Sequence, residues 1–265
     1  MKLKKILYGL TVAILALIFL VSAVYIGTYF YKGKKQQSEF DALAAMVENA
    51  RKESSDSQPE TLPSEDTPDT PAAPTILREF RDAYALNSDL VGWIQIDGTR
   101  VNYPVVQSPE ERDFYLHRNF NKESSERGCI YVREECNVFS PSDNVTIYGH
   151  HMLDGSMFHD LDLFMDREFW EEHDTIQFDT LYEHHTYRIF AVFKTTATIG
   201  EGFSYHRFVN AMDDTDFDEF IATCRDLAFY DTGIIPKYGD HIICLSTCEY
   251  TLINGRLVVA AVRVD

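Results

Sequence analysis

Three side chains suited to acyl transfer stand at the ends of short apolar runs. Cys248 follows the run at 241–245, His150 ends a second run, and Arg256 opens the run at 256–262. Runs of this length, bounded by polar and turn residues, are typical of buried β-strands. A thiolate can attack a carbonyl carbon, an imidazolium can protonate a leaving amine, and a fixed guanidinium can stabilise the oxyanion. The three residues are therefore predicted to form a cysteine acyl-transfer site.

Polar residues flank Cys248 directly. Ser246 and Thr247 precede it, and Glu249 follows it. Their polarity predicts that the strand ends here and that Cys248 is partly exposed, although cysteine is commonly a buried residue. Each of the three could orient the site or the substrate, and a purely structural role explains each of them equally well.

His150 and His151 form an adjacent pair, which a metal site could also explain. Zinc sites need several ligands at recognisable spacing, and the sequence has no Cys/His ladder of that kind. Acyl transfer through a cysteine requires neither a metal ion nor an organic cofactor. The sequence therefore predicts a site without either.

Several motifs, in order along the chain, carry a family resemblance. They are the segments 91–96 and 101–107, Tyr148-Gly149-His150, Leu245-Ser246-Thr247-Cys248, and Arg256. Over residues 76–265 the chain resembles the sortases, and the first two segments resemble class B sortases in particular. The resemblance implies a membrane-anchored cysteine transpeptidase of Gram-positive bacteria that joins surface proteins to the cell wall.

The resemblance also implies a role for each site residue. Cys248 is expected to be the nucleophile, His150 the general acid, and Arg256 the residue that stabilises the oxyanion. Because the family's catalytic imidazole comes directly after Tyr-Gly, the match selects His150 over His151. Many class B sortases have asparagine where this chain has His151, so the contacts around His150 and the pH profile are expected to differ here.

The same resemblance implies the substrates. The enzyme is expected to cleave a C-terminal sorting motif of surface proteins after a threonine. It would then transfer the acyl group to an amine of peptidoglycan or lipid II, or to a pilin lysine. The wall of the sorting-signal pocket is expected in the segment 199–210, which contains Tyr205, although the sequence alone indicates only a polar loop with aromatic residues. The other residues expected to line this groove are Tyr103, Pro104 and Ser108.

Two other functions are compatible with the same residues. A hydrolytic surface cysteine protease would let water, in place of an amine, resolve the acyl-enzyme. A catalytically inactive, membrane-tethered adhesion or scaffold domain would use the fold alone. The presence of Cys248, His150 and Arg256 together favours an enzyme.

Eight short apolar runs, separated by turn residues, predict a mainly β domain with added helices. The runs are 91–96, 101–106, 129–132, 145–148, 175–179, 186–194, 240–245 and 256–264. At this density the pattern favours a closed or nearly closed barrel, while a sandwich would show the same pattern. The resemblance implies a closed eight-stranded barrel of the sortase type.

Helical spacing of apolar residues appears at three places in this domain. It predicts an N-terminal helix at 75–85, a short helix within 157–172 and a longer helix at 215–229. Thr215 is the expected N-cap of the last helix, followed by acidic residues in its first turn. This helix lies between the sixth and seventh strands, where class B sortases add a helix to the barrel.

The N-terminal part of the chain has a different composition. An uncharged apolar stretch at 6–31 exceeds the ~20 residues that a helix needs to cross a bilayer. It predicts a membrane anchor over 1–35. Lysines on both sides do not fix its orientation by themselves, but the short N-terminal tail and the long domain behind it favour a domain outside the cell. The alternative is a signal-peptidase site at 21–23. Residues 36–75 are predicted to form a stalk helix and a flexible acidic linker rich in proline and serine, leaving 76–265 as the catalytic domain.

The chain is strongly acidic beyond the anchor. It has 24 basic and 42 acidic residues, a net charge of −18. Six lysines precede position 36 and no acid precedes Glu39, so the remainder has 18 basic and 42 acidic residues, a net charge of −24. This balance argues against binding of nucleic acid, whose phosphates would be repelled.

The chain has five cysteines, an odd number. Cys224 and Cys244 fall on apolar positions and are predicted to be small buried residues. Cys129 and Cys136 would either pair across a turn or remain free, since an extracytoplasmic location permits disulfides.

Overall fold

The computed structural model of the protein describes residues 2–56, 74–108, 110–198 and 200–265. Most of the predicted flexible linker, 57–73, lies outside the described residues. The chain divides into two compact units, Met1–Ala42 and Leu43–Asp265.

Eight strands of the second unit close into a barrel. The strands are β1 (Leu90–Gln95), β2 (Asn102–Val106), β3 (Ile130–Val132), β4 (Asn144–Tyr148), β5 (Thr175–Thr180), β6 (Thr186–Thr196), β7 (Ile242–Glu249) and β8 (Gly255–Arg263). They follow the order β1-β2-β3-β4-β7-β8-β6-β5, and β5 pairs with β1 to close the ring. The pairs β2–β3 and β4–β7 are parallel, and the other neighbours are antiparallel. The prediction of a closed eight-stranded barrel is confirmed, and the sandwich is excluded.

β7 extends further than the sequence predicts. The strand was expected to end before Ser246, but it runs to Glu249 and contains Cys248. The reason is its pairing with β8, which continues through Cys248↔Arg256 and Glu249↔Gly255. Because the ladder satisfies the backbone groups, polar side chains do not end the strand.

The helices lie between the strands. They are α1 (Lys2–Asp56), α2 (Arg81–Leu86), α3 (Arg167–Glu172) and α4 (Asp214–Leu227). Short 3₁₀ helices precede α2 and α3, at Arg78–Phe80 and His159–Met165. The expected N-cap of α4, Thr215, is wrong, because the carboxylate of Asp213 accepts the N–H of Asp216 and Thr215 lies within the first turn.

α4 covers one side of the barrel and lies between β6 and β7, as predicted. Its apolar face, which includes Phe217 and Phe220, is buried in one cluster with residues of β6, β7 and β8 such as Phe193, Cys244 and Val258. Burying a phenylalanine side chain contributes roughly 1.5–3 kcal/mol. Covered from both sides, β7 and β8 show continuous apolar runs where a half-exposed strand would show alternation.

α1 carries the stretch that was predicted to be a membrane anchor. Within it, Lys4–Glu53 is long and apolar enough to cross a membrane. Large apolar side chains between Ile6 and Tyr31 are exposed. Exposure of this kind suits a helix whose surroundings are lipid.

The last turns of α1 belong to the barrel unit. Leu43 and Val47 are buried, and Arg51 forms an ion pair with Asp179 at 2.5 Å. Arg51 also lies 3.8 Å from a carboxylate oxygen of Glu79. The helical part of the predicted spacer therefore packs against the barrel.

All five cysteines lie among the described residues, and all are free thiols. Cys129 and Cys136 are buried separately, so the possible disulfide between them is absent. Cys224 and Cys244 are buried as predicted, and only Cys248 is partly exposed.

Candidate active site

Cys248 and Arg256 face each other across two neighbouring strands. They are register partners in the antiparallel pair β7–β8. Directly opposed residues place their side chains on the same face of the sheet, with Cβ atoms ~4.5–5.5 Å apart. The thiol and the guanidinium are thereby held side by side.

His150 reaches the same place through the parallel pairing of β4 with β7. Tyr148 is the register partner of Ser246, and the N–H of Gly149 donates to the carbonyl of Ser246 at 3.1 Å. His150 and Cys248 each stand two positions beyond this register pair. Side chains alternate along a strand, so Cys248 points to the side that Ser246 faces, and His150 lines the same groove as Cys248.

The imidazole of His150 is half-buried and held by one backbone group. Its Nε2 lies 2.8 Å from the carbonyl oxygen of Leu116. A carbonyl only accepts, so Nε2 carries a proton and Nδ1 is the nitrogen left to exchange one. The ring of His117 stacks on it with centroids 6.0 Å apart.

The surroundings of His150 make it a stronger acid. Burial lowers the pKa of His150 below its ordinary value, and the nearby His117 and Arg256 lower it further, while the hydrogen bond to Leu116 opposes them. A lower pKa favours transfer of the proton once the imidazolium has formed. This suits a group that must protonate a leaving amine.

The guanidinium of Arg256 is anchored at one end. Its Nη1 donates to the carbonyl of Gly255 at 2.9 Å and to that of Asn254 at 3.4 Å. Among the described residues no carboxylate pairs with Arg256, which leaves donors available for a substrate oxygen. Gly255 is required at this turn, because a Cβ there would lie 2.4 Å from the carbonyl oxygen of Glu249.

Cys248, His150 and Arg256 line one groove of about 740 Å³. Three of the predicted substrate contacts, Ser246, Thr247 and Tyr205, line it as well. The Tyr205 hydroxyl and Ser246 Oγ lie 2.5 Å apart, so the loop that carries Tyr205 is fixed to β7. The groove is thus walled on one side by the predicted segment 199–210, of which residue 199 lies outside the described residues.

Other predicted lining residues lie elsewhere. Tyr103, Pro104, Ser108 and Glu249 are not among the described residues that line this groove. The buried hydroxyl of Tyr103 instead accepts the N–H of Met157 at 3.0 Å. For these four residues a substrate contact has no support from their position.

Glu249 stabilises the turn between β7 and β8. Its carboxylate accepts from Lys194 Nζ at 2.8 Å and from the N–H groups of Thr251 and Leu252 at 2.9 and 3.1 Å. Burial raises the pKa of Glu249, but these donors outweigh it and lower the pKa to about 2. The carboxylate therefore remains ionised and keeps the turn beside Cys248 in place.

The groove wall also contains a group of basic residues that no sequence motif predicts. Arg112, Arg133, His206 and Arg207 all line it. Burial lowers the pKa of His206, and the three arginines lower it further. The nearby Leu116 carbonyl is not predicted either, since a backbone group leaves no trace in the sequence. Arginines in loops also carry no motif of their own.

The described residues do not provide a set of ligands for a metal ion. Among the described residues, no group of three or more His, Cys, Asp or Glu could hold a metal ion. His151 is engaged with a carboxylate, since its Nε2 lies 2.7 Å from Asp162 Oδ2.

Comparisons with known proteins agree with this architecture. The family model of the Sortase domain matches residues 94–264. Sortase B of Listeria monocytogenes is 31% identical over 262 residues, which cover 98% of this chain and 97% of that protein. Sortase B of Staphylococcus aureus is 31% identical over 185 residues, or 69% of this chain and 73% of that protein.

Solved structures give the same answer. A Staphylococcus aureus sortase B–substrate complex has a TM-score of 0.75 at 25% identity, covering 89% of this chain and 99% of that one. A Bacillus anthracis protein described as similar to sortase B has a TM-score of 0.70 at 30% identity, covering 89% and 97%. The resemblance that the sequence motifs carry is confirmed. The chain belongs to the sortase family as a class B sortase, and it is a cysteine transpeptidase.

Proposed function

We propose that Cys248 is the nucleophile, His150 the general acid and base, and Arg256 the oxyanion stabiliser of this transpeptidase. The single observation that supports this most is their convergence. Cys248 and Arg256 are opposed on β7 and β8, His150 follows β4 on the other side of β7, and all three line one groove. Each then has the chemistry that one step of acyl transfer needs.

In the first half-reaction the thiolate of Cys248 attacks a peptide carbonyl carbon. The carbonyl electron pair moves to oxygen, and the guanidinium of Arg256 stabilises the oxyanion. The C–N bond then breaks as the imidazolium of His150 gives its proton to the departing amine. The products are a thioester on Cys248, a free amine and a neutral imidazole.

In the second half-reaction an amine attacks the thioester carbonyl. Neutral His150 takes a proton from the attacking nitrogen, the C–S bond breaks, and a new amide bond forms. The cysteine returns as a thiolate beside an imidazolium. Water in the place of the amine would give hydrolysis, which is the rival outcome.

The donor substrate that we propose is a surface protein with a C-terminal sorting motif, cleaved after a threonine. A Staphylococcus aureus sortase B was solved as a complex with its substrate, and this chain shares that fold at a TM-score of 0.75. A groove of about 740 Å³ beside Cys248 can hold several residues of an extended peptide.

The acceptor that we propose is an amine of peptidoglycan or lipid II, or a pilin lysine. A sortase B solved as a complex with triglycine is a structural relative, with a TM-score of 0.73 at 25% identity. We also propose that α1 anchors the enzyme in the cell membrane as a single span, with the catalytic domain on the outer side. The apolar exposed stretch of α1 supports the anchor.

Cleavage and amine transfer by the full-length enzyme in detergent test the proposal. The assay uses a panel of fluorogenic peptides with a Pro-x-Thr motif, with and without triglycine. Cys248→Ala should lose both cleavage and transfer, while Cys244→Ala and Cys224→Ala, changed at buried positions, should keep substantial activity. Full activity in Cys248→Ala would reject the nucleophile. If the products are the same with and without triglycine or any other amine tested, the result would favour hydrolysis.

A further inference from the structure

A side-chain contact joins the two chain segments that hold Cys248 and His150. Tyr250 stands two positions after Cys248, and its hydroxyl donates to the backbone carbonyl of His151 at 3.1 Å. His151 directly follows His150 in the chain. The contact lies beyond the last register pair of β4 and β7, so it continues the connection after the strand ladder has ended.

His151 is itself fixed by a third element. Its Nε2 donates to Asp162 Oδ2 at 2.7 Å, and the side chain of His151 is only 8% exposed. Asp162 belongs to the 3₁₀ helix His159–Met165, which contacts β6 and β8. The rings of His159 and Tyr250 pack on His151 with centroids at 4.3 and 5.3 Å. The segment after His150 is thereby tied to the body of the barrel.

The turn that carries Tyr250 is equally well held. Glu249 accepts the N–H groups of Thr251 and Leu252, on the two positions after Tyr250. Tyr250 is 69% exposed, so its hydroxyl adds little to the core. The hydrogen bond from the exposed Tyr250 to the His151 carbonyl therefore contributes more to the relative position of the two segments than to the stability of the fold.

We propose that Tyr250, His151 and Asp162 form a latch that holds His150 in register with the thiol of Cys248. The three are positioning residues that act through His150. The imidazole of His150 has one hydrogen bond among the described residues, to Leu116, and the backbone carbonyl of His150 accepts the N–H of Phe158 at 2.9 Å. The rest of the orientation of the imidazole therefore comes from the backbone segment that carries it. The inference rests on the catalytic roles proposed above. Misplacement of a reacting group by about 1 Å can cost ~10²-fold in rate.

Tyr250→Phe in the full-length enzyme removes only the hydroxyl. We expect kcat for acylation of a Pro-x-Thr peptide to fall roughly two- to tenfold, since one hydrogen bond is lost. KM and the thermal midpoint should stay unchanged. Tyr238→Phe is the matched control, because Tyr238 is 53% exposed and lies on a different loop, and it should be silent.

Two further variants separate positioning from a general structural effect. In a His150→Ala background, Tyr250→Phe should have no added effect on the slow acylation that intact mass measures over hours. Asp162→Ala should lower kcat by a similar factor and add little to Tyr250→Phe, because both act on the same segment.

A wild-type kcat in Tyr250→Phe would overturn the latch. The latch would also be overturned if Tyr250→Phe lowered the acylation rate of the His150→Ala protein by the same factor as that of the wild type. A lower kcat in Tyr250→Phe that is fully explained by a lower melting midpoint would overturn it as well. Cys248→Ala in the same assay keeps the two proposals apart. If that variant is inactive while Tyr250→Phe is normal, only the latch fails; if it is active, the catalytic assignment fails.

Discussion

Arg256→Lys changes the shape of the proposed oxyanion donor while it keeps the charge. The guanidinium uses Nη1 to hold the carbonyl of Gly255 at 2.9 Å, and its remaining N–H groups can reach the substrate at the same time. A lysine ammonium is a single point on a flexible stem. It cannot lie both at the Gly255 carbonyl and at the oxygen of a tetrahedral intermediate.

The expected loss of turnover follows from the loss of one hydrogen-bond donor to the oxyanion. Losing one oxyanion donor typically costs ~10²–10³ in turnover, or about 2.7–4 kcal/mol of transition-state stabilisation. We expect Arg256→Lys to lose kcat by at least this factor. The fold should be retained, because Arg256 is only half-buried and its neighbours Gly255 and Leu257 keep their strand pairing.

Three measurements on the full-length enzyme check this expectation. Steady-state rates on a fluorogenic Pro-x-Thr peptide give kcat and KM, a thermal melt reports the fold, and labelling by a thiol reagent reports the accessibility of Cys248. We expect a low kcat with a normal melt and normal labelling. Near-normal turnover in Arg256→Lys would refute the argument from shape and reduce Arg256 to a general source of positive charge.

Three further outcomes follow from the same contacts. His150→Ala should lose activity by ~10²–10⁴-fold and His151→Ala far less, so rate assays that gave the reverse order would mean that the neighbouring imidazole is the acid. In an NMR titration the pKa of His150 should lie below its ordinary value. Arg256→Met should raise the pKa of His150, because it removes a nearby positive charge. An unchanged or lower pKa in this variant would contradict an electrostatic effect of Arg256 on His150. Glu249→Gln should lower the thermal midpoint at neutral pH. Because the folded pKa of Glu249 is depressed to about 2, its contribution is present above the unfolded pKa of ~4.3 and is lost as pH falls towards 2, so the gap between the two proteins should close over that interval.

The barrel and the inserted helix could be predicted from the sequence because their signals are periodic. Apolar runs marked every strand to within a few residues, and the stripe on α4 marked the face that it buries. The polarity of Ser246 and Thr247 predicts an end of β7 that is wrong by several residues, since the strand runs to Glu249. Strand length is set by the partner strand, and β8 pairs with β7 as far as Glu249.

The sequence predicted which side chains belong to the candidate site, but not how they are arranged in space or which backbone groups contact them. The order of the motifs predicted Cys248, His150 and Arg256. The antiparallel β7–β8 pair places Cys248 beside Arg256, and the parallel β4–β7 pair, which joins strands far apart in the sequence, brings His150 to them. The Leu116 carbonyl at His150 has no sequence signal, since every residue has a carbonyl. For Glu249 the sequence left a substrate contact and a structural role equally open, and the contacts of its carboxylate support the structural role, since they hold the turn after β7.

The parallel pairing of β4 with β7 also determines where along the chain the groove wall can lie. Two parallel neighbours require a crossover, and here the crossover contains β5, β6, α4 and the part of 199–210 that walls the groove. The wall therefore belongs to a connection, while Cys248 and Arg256 lie on the β7–β8 ladder and His150 lies two positions after the end of β4. Connections accept insertions and exchanges that ladders do not. We therefore expect that exchanging the groove-wall loop at 200–210 among relatives would change the preferred peptide, with His150 and the strands of the barrel left as they are.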